Sequence, residues 1–182
     1  FYSEVFNWSI SEQETPFGPY TMFKVGDEMV AGVSAPKLPE LNNQWLAYVS
    51  VENLDNAIST LQSGGGEILG QEIKAPGVGR WVYAKDPDGI LFSPFEFESA
   101  DKVQVPKDLA DVGTFCWHEL MANDYEKSID FYASLFGWEK STRMDLENDC
   151  VYQLYKSNDR ELGGMMNIKA EMGMQPAWAE YV

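Results

Sequence analysis

FYASLFGW, from Phe131 to Trp138, repeats FYSEVFNW, from Phe1 to Trp8, and that self-similarity decides the fold. The likeness continues downstream. YTMFKVGDEMVAG (Tyr20 to Gly32) returns as YQLYKSNDRELGG (Tyr152 to Gly164), with Tyr, Lys, Asp and Gly at matching places and a spacing grown by two residues. Further on, WLAYV (Trp45 to Val49) is echoed by WAEYV (Trp178 to Val182). A period of about 130 residues exceeds any solenoid repeat and matches a small domain, so the chain reads as a duplicated domain.

The register of the copies sets the expected boundaries. GTFCWHELMANDYEKSID (Gly113 to Asp130), a strand and a helix start, precedes the second copy, and no counterpart stands before Phe1. The first copy runs on well beyond Trp45, whereas the second stops at its matching strand. The expected organisation is a first domain over residues 1–98 without its opening strand, a charged, Pro-containing linker over 99–112, and a second domain over 113–182 without its C-terminal half. On the repeat arithmetic the parent chain would run to about 260 residues.

Local patterns supply the elements. Tyr2, Val5 and Phe6 share one side of a helical segment over Phe1 to Asn7. Tyr20 to Val25 and Glu28 to Ser34 read as a hairpin about a Gly-Asp turn, and Trp45 to Val51 as a strand. Asn53 to Ser63 reads as an amphipathic helix with Leu54, Ala57, Ile58 and Leu61 inward, ended by GGG. Strands at Glu67 to Gly70, Arg80 to Lys85 and Ile90 to Phe97 follow, the last two joined by the DPDG turn at Asp86 to Gly89. Strand, helix, three strands is a βαβββ module. One module cannot cover its own apolar sheet face, so the predicted class is α+β, with paired modules forming curved sheets around a cavity.

Composition excludes several functions. Thirteen basic against twenty-nine acidic side chains leave a net charge of -16, which repels nucleic acid and anionic lipid. No apolar run reaches the roughly 20 residues of a membrane helix. Cys116 and Cys150 form no C-x-x-C pair and no disulfide framework, which suits a reducing cytoplasm. With one histidine no Ser-His-Asp arrangement is expected, neither cysteine has a second imidazole as partner, and the glycine clusters lack phosphate-loop spacing.

Taken together, WHELMANDYEKSIDFYASLFGW, WLAYVSVENLDNAISTLQSGGGEILG and GVGRWVYAKDPDGILF resemble the vicinal-oxygen-chelate superfamily, which includes glyoxalase I, bleomycin-resistance proteins and extradiol dioxygenases. Asp124 seven residues before FY, the Gly-Trp helix end, the Gly-Gly after the second helix and the DPDG turn carry the likeness. In metal-dependent members, the resemblance implies a ring of His and Glu on the inner face of the curved sheet, holding a divalent ion as a Lewis acid. Carried onto this chain, those places fall at Trp117, at Trp45 or Leu46, at Ser93, and near Gly32 and Gly164. None supplies an anionic or imidazole donor, so no metal and no cofactor is expected.

His118 and Glu119 are the candidate catalytic groups. Neighbours on a strand point to opposite faces, so only one enters a cavity, and Glu119 shares the face of Trp117. Glu119 would bind a cationic or hydroxyl-bearing ligand or act as a base. The remaining candidate ligand-binding residues are mostly aromatic: Trp45, Tyr48, Trp81, Tyr83, Trp117, Tyr152, Trp178 and Tyr181, about half of them expected to face inward, with Ser93. The leading expectation is a metal-independent protein that binds an apolar or aromatic small molecule in a sheet-lined cavity and self-associates. The alternative is a metal-dependent lyase, isomerase or dioxygenase whose key residues lie elsewhere in the parent chain.

Overall fold

The helix shared by the two repeats stops by the same device in each. Tyr2–Phe6 (α1) closes at Asn7, with φ 57°, and Tyr125–Phe136 (α3) closes at Gly137, with φ 69°. A left-handed residue at this place turns the chain off the helix axis, which Gly and Asn tolerate best. The next residue in each copy is a tryptophan driven inward. Trp8 packs on Phe23 with centroids 5.3 Å apart, and Trp138 stacks on Tyr155 at 4.6 Å. Phe23 and Tyr155 also hold matching places in the repeat.

A computed structural model of the protein describes residues 1–99, 112–147 and 150–182. The chain separates into two compact units. One holds Phe1–Gln44 with the described parts of 112–117 and 180–182; the other holds the segments from Trp45 and from His118 to Ala179. The expected linker falls largely outside the described residues. These units group residues by packing, whereas the repeat groups them by descent, and the two divisions differ.

In the first unit α1 is followed by an antiparallel meander, β1 (Ser9–Thr15), β2 (Gly18–Val25) and β3 (Glu28–Val33). Strand β1 has no sequence signal: SISEQET is polar but for an exposed Ile10, so no apolar alternation marks it. Its pairing with β2 fixes it instead. Trp8 Nε1 donates to the Gly113 carbonyl at 2.6 Å, satisfying the one polar atom of a buried indole.

The second unit contains two βαβββ modules, save that Trp117 at the start of one strand and Glu180 and Tyr181 at the end of another group with the first unit. The first comprises β4 (Tyr48–Ser50), α2 (Leu54–Ser63), β5 (Glu67–Ala75), β6 (Gly79–Lys85) and β7 (Leu91–Phe97), in the sheet order β4-β7-β6-β5. The second comprises β8 (Trp117–Ala122), α3, β9 (Glu139–Leu146), β10 (Cys150–Ser157) and β11 (Arg160–Asn167). With β12 (Ala177–Tyr181) it forms a five-stranded sheet ordered β12-β8-β11-β10-β9. In each module the opening strand lies parallel to the last. Strand β4 is shorter than the expected Trp45 to Val51, because only three of its residues pair with β7, and β5 runs five residues beyond the expected Gly70.

The modules pack through their helical sides. Leu61 of α2, Ala84 and Phe92 of the first sheet, Leu120, Ala122 and Met165 of the second, and Ile129, Phe131 and Tyr132 of α3 form one buried cluster. Phe92 meets Phe131, Tyr132 and Phe136 edge-on at 5.4–6.2 Å. Burying each large side chain contributes about 1.5–3 kcal/mol. The helices therefore lie between the two sheets, and each sheet turns its inner face, the side that would line its own module's expected cavity, away from them and from the other sheet.

A buried polar chain crosses this layer. Asp86 of the DPDG turn accepts from the Asp88 and Ile90 amides through Oδ1, at 2.9 and 2.8 Å, and from Tyr132 through Oδ2 at 3.0 Å. Trp178 Nε1 in turn donates to the Tyr132 hydroxyl at 3.2 Å. Burial pushes the Asp86 carboxyl above its ordinary range and the Tyr132 phenol well above its own. Two motifs far apart in sequence, DPDG and FY, are thus hydrogen-bond partners.

Candidate ligand-binding site

Alternation along β6 and β7 decides what the first sheet shows on its inner face. Ala84 and Phe92 enter the helical core, so Trp81, Tyr83, Ser93, Phe95 and Phe97 face the other way. Trp81 opposes Phe95 across the ladder and stacks on it at 5.4 Å with an interplanar angle of 20°. Phe97 meets Phe95 edge-on at 4.7 Å, and Tyr48 does so at 6.2 Å. The result is a row of rings across three strands. Tyr48 is half exposed, whereas Tyr83 is buried, and Ser93 is fully buried with its hydroxyl donating to the Val82 carbonyl at 2.9 Å. Trp45 lies outside any strand, 38% exposed.

The second sheet furnishes its inner face differently. Leu120 and Ala122 enter the core, which puts His118 on that same helical side and Trp117, Glu119 and Met121 on the inner one. The Tyr155 hydroxyl donates to the backbone carbonyl of His118 at 3.3 Å. Tyr152 donates to Glu119 Oε2 at 2.8 Å. Trp178 does not join this face: its ring packs on Tyr132, Trp138 and Tyr155, in the core.

Three features had no forecast from the sequence. Phe95 and Phe97 complete the aromatic row, and the alternation of LFSPFEF, which places them on the side of Ser93, was signal enough to find them. The third is Gly164. A Cβ there would overlap the Tyr152 ring, so the missing side chain lets that ring lie across β11 toward Glu119, which Gly164 opposes on β8. Gly32 serves Tyr20 identically in the first copy. The repeated Tyr and Gly of the two stretches are one packing unit.

Charge collects elsewhere. Arg80 donates to Asp55 at 3.0 Å, to Glu96 at 2.8 Å and to Glu72 at 3.4 Å. Those bonds, led by Asp55, push the guanidinium further up and hold the Asp55 and Glu96 carboxyls below their ordinary range. Glu96 also accepts the first amide of α2, from Leu54, at 2.6 Å. An open depression of about 370 Å³ beside this cluster is lined by Lys74, Pro76, Arg80, Glu96, Phe97 and Glu98. It touches the aromatic row only through Phe97, and both of its cations, Lys74 and Arg80, are matched by carboxylates.

A divalent ion does not fit the donor set. The carried-over places offer two indoles, a serine whose hydroxyl is spent on backbone, and glycines, one of them covered by Tyr152. Among the described residues no group of three or more His, Cys, Asp or Glu side chains is placed to hold a metal ion.

The family profile described as Glyoxalase/Bleomycin resistance protein/Dioxygenase superfamily matches residues 1–93, half of the chain. The chain belongs to this superfamily. Among curated relatives, CFP32 of Mycobacterium bovis, which carries a provisional glyoxylase name, is 26% identical over 171 residues, covering 91% of this chain. The chain spans 64% of the length of that relative. The anthracycline biosynthesis protein DnrV of Streptomyces peucetius is 24% identical over 198 residues, covering 98% of this chain and 69% of its own length. The Mn(II)-bound glyoxalase from Novosphingobium aromaticivorans shares the fold, with a TM-score of 0.57 at 14% identity over 92% of this chain and 56% of its own. The glyoxalase/dioxygenase superfamily thus accounts for the α+β class and the mixed sheets. Among the described residues no helix is long and apolar enough to cross a membrane.

Proposed function

We propose that this superfamily member binds an uncharged aromatic small molecule on the inner faces of its sheets, without a resident divalent metal. The observation that carries the reading is the row Tyr48, Phe95, Trp81 and Phe97, rings held edge-on or stacked on a strand scaffold with a half-exposed tyrosine at one end. Such a surface binds flat apolar ligands through area and ring geometry, and few polar groups are needed to orient them. The relative named for anthracycline biosynthesis supports an aromatic ligand. Of the sequence candidates, the proposal keeps Tyr48, Trp81, Tyr83, Trp117, Glu119 and Tyr152 and sets aside Trp45, Ser93, His118 and Trp178 on their placement.

Calorimetric titration with 2-methoxynaphthalene tests the reading. Saturable binding, weakened about tenfold or more in Trp81→Ala by loss of the stacked ring, is expected. Stoichiometric divalent metal retained through dialysis would overturn the metal-free part and favour the lyase, isomerase or dioxygenase alternative. Two coarser expectations join the proposal. The free thiols Cys116 and Cys150 suit a cytoplasmic location, and self-association would appear as a sedimentation coefficient that rises with concentration.

A further inference from the structure

Resting on that ligand-binding reading, the geometry points to Glu119 and Tyr152 as the polar anchor of the second sheet, selecting an aromatic ligand that carries a phenolic hydroxyl. Tyr152 sits between Met144 and Met166 in the ladders of β10, and Met121 opposes Met166 on β8. Thioethers make an adaptable bed for aromatic rings. Across that bed Glu119 presents its carboxylate. A carboxylate oxygen can accept more than one hydrogen bond, and the one from Tyr152 measures 2.8 Å. The protein's own phenol shows that this carboxylate is placed to receive a phenolic donor over an apolar surface.

The arrangement is built. With no side chain at Gly164, the Tyr152 ring lies across β11 and carries its hydroxyl from β10 to Glu119 on β8. Tyr20 lies over Gly32 in the same way, so the tyrosine position belongs to the repeat, and in the second copy β8 sets a carboxylate beside it. A hydroxyl suits this face better than a cation. It gains a charge-assisted hydrogen bond without carrying its own charge onto a methionine-lined surface.

The test compares 2-naphthol with 2-methoxynaphthalene, which has the same rings and no donor, by calorimetry on the wild-type protein and on Glu119→Gln. The variant amide still accepts from Tyr152, and circular dichroism checks its fold. Wild type is expected to prefer 2-naphthol by about tenfold, the worth of one charge-assisted hydrogen bond, and the variant to lose most of that preference. Equal affinities in wild type, a preference that survives in Glu119→Gln, or tighter binding of 2-naphthylmethylammonium would overturn the anchor and leave aromatic binding standing. Failure of both naphthalenes to bind would overturn both readings.

Discussion

The two modules of the second unit are alike where they face their helices and unlike where they face away. Helix α2 begins at Asn53, whose side chain accepts from the Asn56 amide, and α3 begins at Asp124, whose side chain accepts from Lys127. In each module a side chain of the last strand takes the first helical amide, Glu96 from Leu54 and Asn167 from Tyr125. On the inner faces the likeness ends: one shows stacked rings, the other a phenol bonded to a carboxylate. Orphan amides at a helix start and a shared core leave few solutions. A sheet face turned from the core carries no such demand, so it diverges and hosts specificity.

If the core makes the modules one body, Phe92→Ala should destabilise both together. About 3–5 kcal/mol is expected from the cavity, read as a single displaced urea transition. Two separated transitions would break the comparison by showing that the modules fold apart. A smaller effect sharpens the kinship of the repeats. Gly164→Ala places a methyl against Tyr152, costing about 1–3 kcal/mol by overpacking, and Gly32→Ala should cost a similar amount against Tyr20. Thermal melts that differ widely between these variants would deny that the Tyr–Gly device is equivalent.

The caps come next. Asn53→Ala and Asp124→Ala should each lose about 1 kcal/mol in denaturant titrations, and a loss confined to one would mean that the helix starts are held differently. The smallest effect separates the modules by pH. The hydrogen bond from Arg80 holds Glu96 below its ordinary range, so its contribution is present above about pH 4.5 and is lost as pH falls below that. Glu96→Gln should therefore lose stability less steeply on the acid side. The counterpart Asn167 does not titrate, and Asn167→Gln should leave the acid slope unchanged.

Much of the helical side was legible in the sequence because its signals are local and repeated. Asn7 with Gly137 and Trp8 with Trp138 stand in register, and Leu54, Ala57 and Leu61 are spaced for one helix face. What escaped lacked a local signature. Strand β1 has a single apolar residue, the exposed Ile10, and exists through its pairing with β2. Trp178 looks like a cavity residue because alternation says which residues share a face and not which face is which. Its burial against Tyr132 depends on β12 lying beside β8. Glu119 and Trp117 were readable as one face, but the bond to Tyr152 spans strands that only the sheet order brings near.

The chain Asp86–Tyr132–Trp178 steps across two intervals of 46 residues. On a ribosome adding about 5–20 residues each second, the carboxylate emerges on the order of 5–18 s before the indole that completes its network. Throughout that interval water must serve as the missing partner. The nascent helical layer therefore keeps this polar chain hydrated until Trp178 has been made.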